Sequence, residues 1–73
     1  MTGKEKALFR IRIWKHGYRK AMSEKDYTAA HEYSARIYAA VEVLVDTEVL
    51  SKEESYAILD ELTGIRKKKE ESN

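Results

Sequence analysis

Cysteine and proline are absent from this 73-residue chain, and glycine occurs three times. Without cysteine there is no disulfide and no thiolate metal site, which suits a reducing compartment. Without proline, nothing removes a backbone donor from the interior of a helix. No apolar run approaches the ~20 residues needed to cross a bilayer. Nor does an apolar segment follow the basic N-terminus, as it would in a secretory signal. The expectation is a cytoplasmic protein with no membrane contact. Catalytic signatures are missing as well. The chain has no Gly-rich phosphate loop and no Ser-His-acid arrangement above chance, and a domain this thin struggles to enclose a pocket of ~300 Å³. A non-enzyme without a cofactor is expected.

What the chain does have is charge, and the charge is sorted. Residues 1–25 carry eight Lys/Arg against two acids, a net +6. Residues 26–63 carry nine acids against Arg36 and Lys52, a net −7. From Gly64 onward, Arg66, Lys67, Lys68 and Lys69 outweigh Glu70 and Glu71. The formal total of +1 therefore hides a basic first element and an acidic middle. Such sorting can hold a hairpin together, pair two copies, or offer a basic surface to an acidic partner.

The residues are helix-forming stock, with 42% hydrophobic content that is too high for a disordered chain. A first helix is expected from about Lys4 to Met22. Ala7, Ile11, Trp14, Tyr18 and Ala21 recur there in 4-3-4-3 steps, flanked by Leu8 and Met22. Within it Phe9-Arg10-Ile11-Arg12-Ile13 alternates like a strand, but no second strand exists to pair with it. Gly17, costly inside a helix, marks a kink or a close helix contact. Ser23, with Asp26 three residues on, is expected to cap a second helix running to about Thr47. Its seam is Tyr27, Ala30, Ser34, Ile37, Val41 and Leu44, thickened by Tyr38 and Val45. Two matched seams across so short a turn predict an antiparallel helical hairpin. A third, short helix is expected between a Ser51–Glu54 capping box and Gly64 as a left-handed C-terminal residue, burying Ile58, Leu59 and Leu62. The fold class is thus all-α: a hairpin plus a short third helix, dimerising into a helical bundle. Residues 1–65 make the single domain, and 66–73 a charged flexible tail.

The segment Lys25-Asp26-Tyr27-Thr28-Ala29-Ala30 resembles the inter-helix segment of tetratricopeptide and related helical hairpins. There an Asp-Tyr pair precedes a small residue that lets the helices approach closely. The likeness covers six residues and has no second copy in the chain, whereas about three repeats are needed for a stable array. It implies hairpin geometry and not membership of a repeat family.

Candidate contacts follow from what the seams leave over. Phe9 and Ile13 lie on the face of the first helix opposite Ile11, Trp14 and Tyr18. They would be covered by the third helix, by a second copy, or by another protein. Lys6, Arg10, Arg12, Lys15, Arg19 and Lys20 border them. These cations either pair with the acids of the other helices, here or in a second copy, or meet nucleic-acid phosphates with help from an exposed Phe9 or Trp14. Tyr33 and Tyr56 fall outside the main stripes and are candidates for partner contacts. His16 and His31 lack a third ligand, so no metal is expected. The sequence therefore predicts a homodimeric, non-enzymatic regulatory or adaptor protein. It would bind another protein through a helical face, by way of Phe9, Ile13, Arg10, Arg12, Arg19, Lys20, Tyr33 and Tyr56. The alternative is a nucleic-acid-binding protein that presents its basic first helix from a dimer.

Overall fold

Each helix begins after a residue whose side chain caps it. The Glu5 backbone N–H donates to Thr2 Oγ1 at 3.1 Å and the Thr2 N–H to Glu5 Oε1 at 3.4 Å, a capping box that opens α1 (Gly3–Ser23). Asp26 opens α2 (Tyr27–Asp46) by accepting from the Ala29 N–H at 3.2 Å. The box expected at the head of the third helix is present: the Ser51 N–H donates to Glu54 Oε1 at 3.0 Å, and the Glu54 N–H to Ser51 Oγ at 3.1 Å. It opens α3 (Lys52–Glu71). The computed structural model describes the backbone of residues 2–71 and the side chains of residues 2–67, and this part of the chain is all-α. Phe9–Ile13 is helical despite its alternation.

Both inter-helix turns are Schellman motifs built without glycine. After α1, the Asp26 N–H reaches the Ala21 carbonyl at 2.9 Å and the Lys25 N–H reaches Met22 at 3.2 Å, with Lys25 left-handed at φ 59°. After α2, the Val49 N–H reaches Leu44 at 2.9 Å and the Glu48 N–H reaches Val45 at 3.0 Å, with Glu48 at φ 63°. This corrects the expected cap of the second helix. Ser23 is the last residue of α1, and its hydroxyl donates to the Lys20 carbonyl at 2.7 Å. Because the chain turns through Lys25 first, the capping role passes to Asp26.

The third helix is not short. Its 20 residues match the 20 of α2, and it passes through Gly64, which does not adopt a positive φ. Residues 66–71, expected as part of a tail, continue α3. Residues 72 and 73 of that tail lie outside the described residues.

The hairpin seam forms the core. Ile11, Tyr18, Ala21 and Met22 from α1 are buried against Ala30, Ile37 and Val41 from α2, with Ile37 fully enclosed. Burying one such aliphatic side chain is worth about 1.5–3 kcal/mol. Trp14 and Leu44 pack partly buried against this cluster. Two seam members sit differently from expectation: Tyr27 and Tyr38 are both about half exposed. They lie on the margin of the α2 stripe.

Helix α3 packs more loosely. Leu62 is buried, while Ile58, Leu59 and Ile65 remain partly exposed. Ser55 is buried too, and its hydroxyl is satisfied by the Lys52 carbonyl at 2.7 Å. Two ion pairs fix the direction of α3: Lys4 with Glu54 at 2.9 Å, and Lys15 with Glu61. Their order shows that α1 and α3 run the same way, so the three helices go up, down, up. The bundle measures 38 × 20 × 17 Å, its long axis set by helices about 30 Å long. No helix among the described residues is long and apolar enough to cross a membrane.

Candidate interaction surface

Helical periodicity puts Lys6, Phe9, Ile13, His16 and Lys20 in one line, in steps of three and four, on the side of α1 turned away from Ile11 and Tyr18. The structure leaves that line open. Phe9 is 49% exposed and Ile13 52% exposed, so α3 does not cover them. Arg10 and Arg12 flank the pair on either side and are exposed, as are Lys6, His16 and Lys20. A residue spacing that would bury one face of a helix has here produced two apolar faces, one of them bare.

The basic residues divide into those that bind α3 and those that do not. Lys15 pairs with Glu61, and Arg19 adds a weaker attraction to the same carboxylate. Held first by the Lys15 hydrogen bond, the Glu61 carboxyl lies below its ordinary value. Glu54 lies below it as well, chiefly through its hydrogen bond with Lys4 and then through the Ser51 backbone. Lys6, Arg10, Arg12 and Lys20 form no ion pair among the described residues. No ion pair among those residues joins α1 to α2 either, so hydrophobic packing holds the hairpin, while α3 adds two ion pairs to α1 beside its own apolar contacts with the core.

The two tyrosines singled out by sequence part company. Tyr33 is partly buried and packs against the hairpin core, with its ring over Gly17 and the Arg36 guanidinium 5.8 Å from its centroid. This gives Gly17 its role as a close helix contact. Tyr56 is 61% exposed on α3. Together with Tyr38, Val41, Glu42, Val45, Asp46, Lys52, Ser55 and Leu59 it lines an open groove of about 320 Å³ between α2 and α3. The groove was not legible in the sequence, because Tyr38 counts there as a seam residue and the register of α3 against α2 is not a local property.

Trp14 is partly buried against the core, which leaves Phe9 as the exposed ring beside the cations. His16 and His31 are both exposed, and no three His, Asp or Glu side chains among the described residues converge on a metal-sized site. The bare α1 face offers apolar contact at its centre and cations at its border. No protein-family model, curated protein or solved structure matches the chain.

Proposed function

We propose that the chain is a small non-enzymatic interaction module that binds another protein through the outward face of α1. One observation carries this reading. Phe9 and Ile13 stand half exposed, one turn apart, among cations that have no ion partner among the described residues. An amphipathic helix anchored by residues i and i+4 is a common way to engage an apolar groove. The surface suits a partner with an apolar strip bordered by carboxylates. Size is no obstacle: a standard patch of about 800 Å² takes roughly one-seventh of the 5426 Å² surface.

The test is site-specific photo-crosslinking in the native host, with the reactive side chain at Ile13 and, as a control, at the exposed Glu32 on α2. A protease-sensitive adduct from Ile13, absent from Glu32 and lost on Phe9→Glu, is the expected result. No adduct at Ile13, or equal adducts at both positions, overturns the reading.

The same unpaired cations favour a second reading, that the face meets a nucleic acid. Phosphate contacts would make affinity fall steeply with salt, by about −0.9 in log–log slope per contact on duplex DNA. The net −7 of residues 26–63 opposes this, because it repels a polyanion approaching the same small molecule. Fluorescence anisotropy with duplex DNA and single-stranded RNA at two salt concentrations decides between them. Sub-micromolar, salt-sensitive binding abolished by Arg12→Glu establishes the second reading.

A further inference from the structure

We infer that the outward face of α1 docks into the α2/α3 groove of a second copy of this chain, head to tail. The inference rests on the proposed use of that face and names one occupant for it.

Both surfaces are apolar at the centre, and their bordering charges are opposite in sign. The face presents Phe9 and Ile13 one turn apart on α1, bordered by Arg10, Arg12 and Lys20. The groove runs between two helices and is walled by Tyr38, Val45, Tyr56 and Leu59. An interhelical groove accepts the i and i+4 anchors of a third helix. Glu42 and Asp46 line it, Lys52 is a cation at its α3 end, and Asp60 follows Tyr56 by one turn on the same helix. The exposed tyrosines suit an interface, because their rings supply contact area while the hydroxyls stay wet.

Charge bookkeeping inside one molecule leaves this pairing open. The +6 of residues 1–25 and the −7 of residues 26–63 meet in the Lys4–Glu54 and Lys15–Glu61 pairs, and neither pair involves the α1 face or the groove acids. A second copy brings the missing partner to both.

Geometry decides the mode of assembly. No α1 residue lines the groove, and the α1 anchors point away from the core on which α2 and α3 pack. Face and groove therefore look in different directions. One molecule uses its face on one neighbour and its groove on another, a heterologous contact that extends instead of closing on a two-fold axis. Assembly rises with protein concentration and weakens with salt.

The experiment uses the purified full chain in sedimentation velocity, from micromolar to millimolar concentration. One variant disables the face, Phe9→Glu with Ile13→Glu. The other disables the groove, Glu42→Lys with Tyr56→Lys. All four positions are exposed, and helical content and melting confirm that each variant folds. Wild type is expected to exceed its monomer mass of 8.5 kDa increasingly with concentration. Each variant alone stays monomeric. Their equimolar mixture forms a heterodimer and nothing larger, because one intact face and one intact groove remain between them. Three results overturn the inference: a monomeric wild type at every concentration, a groove variant that self-associates like wild type, or a mixture that stays monomeric. None of these bears on a protease-sensitive adduct with a different polypeptide in the host, so the two proposals fail separately.

Discussion

The ring of Tyr33 occupies the space that a side chain at residue 17 would need. A Cβ added at Gly17 would stand 2.5 Å from Tyr33 Cζ, 2.7 Å from Cε1 and 2.9 Å from Cε2. Residues 17 and 33 lie equally far from the turn at Lys25, so the contact joins residues at the same level of the two antiparallel helices. The glycine weakens α1 locally, and the close approach it permits seats the ring.

Gly17→Ala therefore sets two effects against each other. The helix gains about 1 kcal/mol of propensity, while forcing the ring aside costs about 1–3 kcal/mol, as over-packing does. The expected net is a loss of about 1 kcal/mol, or roughly 4–8 °C in Tm. In a Tyr33→Ala background the same substitution should turn stabilising by about 1 kcal/mol. A double-mutant cycle by chemical denaturation reads the change of sign, and an unchanged sign means the ring does not depend on Gly17.

Gly64 should behave in the opposite way. It lies inside α3, and nothing stands within 4 Å of a Cβ added there. Gly64→Ala is expected to stabilise by up to about 1 kcal/mol, the propensity difference alone. Were Gly64 a left-handed terminus, the same change would destabilise. A thermal melt of the variant shows which.

Glu48 invites replacement by glycine. Its left-handed backbone costs a residue with a Cβ about 1–2 kcal/mol, and its negative charge lies just beyond the C-terminus of α2, where the helix dipole disfavours it. Glu48→Gly should raise stability by about 0.5–1 kcal/mol, less than the sum of these terms because glycine adds freedom to the unfolded chain. Equilibrium denaturation with an unchanged m-value is the check.

The tethers of α3 give the molecule an acid limb. Glu54 and Glu61 both titrate below the ordinary carboxylate value of 4.5 in the folded state, through Lys4 and Lys15. A depressed folded value means that the stabilisation is fully present above the unfolded value and is lost as pH falls through the folded one. Melting temperature should be flat near neutrality and fall below about pH 4.5. Glu61→Gln should lower it near neutrality and converge with wild type at the acid end. Thermal melts across pH measure both, and parallel curves for the two proteins would mean that Glu61 is not a tether.

The presence of three helices, the seam of the hairpin and the Ser51–Glu54 cap were legible along the chain, because each depends on groups three or four residues apart. Ile11, Tyr18, Ile37 and Val41 are buried where a 3.6-residue period puts them. Phe9 and Ile13 were legible as a second apolar stripe for the same reason. Packing between the helices set what local spacing leaves open. A glycine inside a helix costs only about 1 kcal/mol, too little to end α3 once its first turns are packed on α1 and α2, so the helix runs through Gly64. The left-handed positions fell instead to Lys25 and Glu48, where the hydrogen bonds of the turn hold them. Which cations find acids also depended on the direction of α3: Lys4 and Lys15 face it, whereas Lys6, Arg10, Arg12 and Lys20 do not. Tyr38 and Tyr56 came together across a groove for which no sequence separation prepares, because their meeting depends on the register between two helices packed side by side.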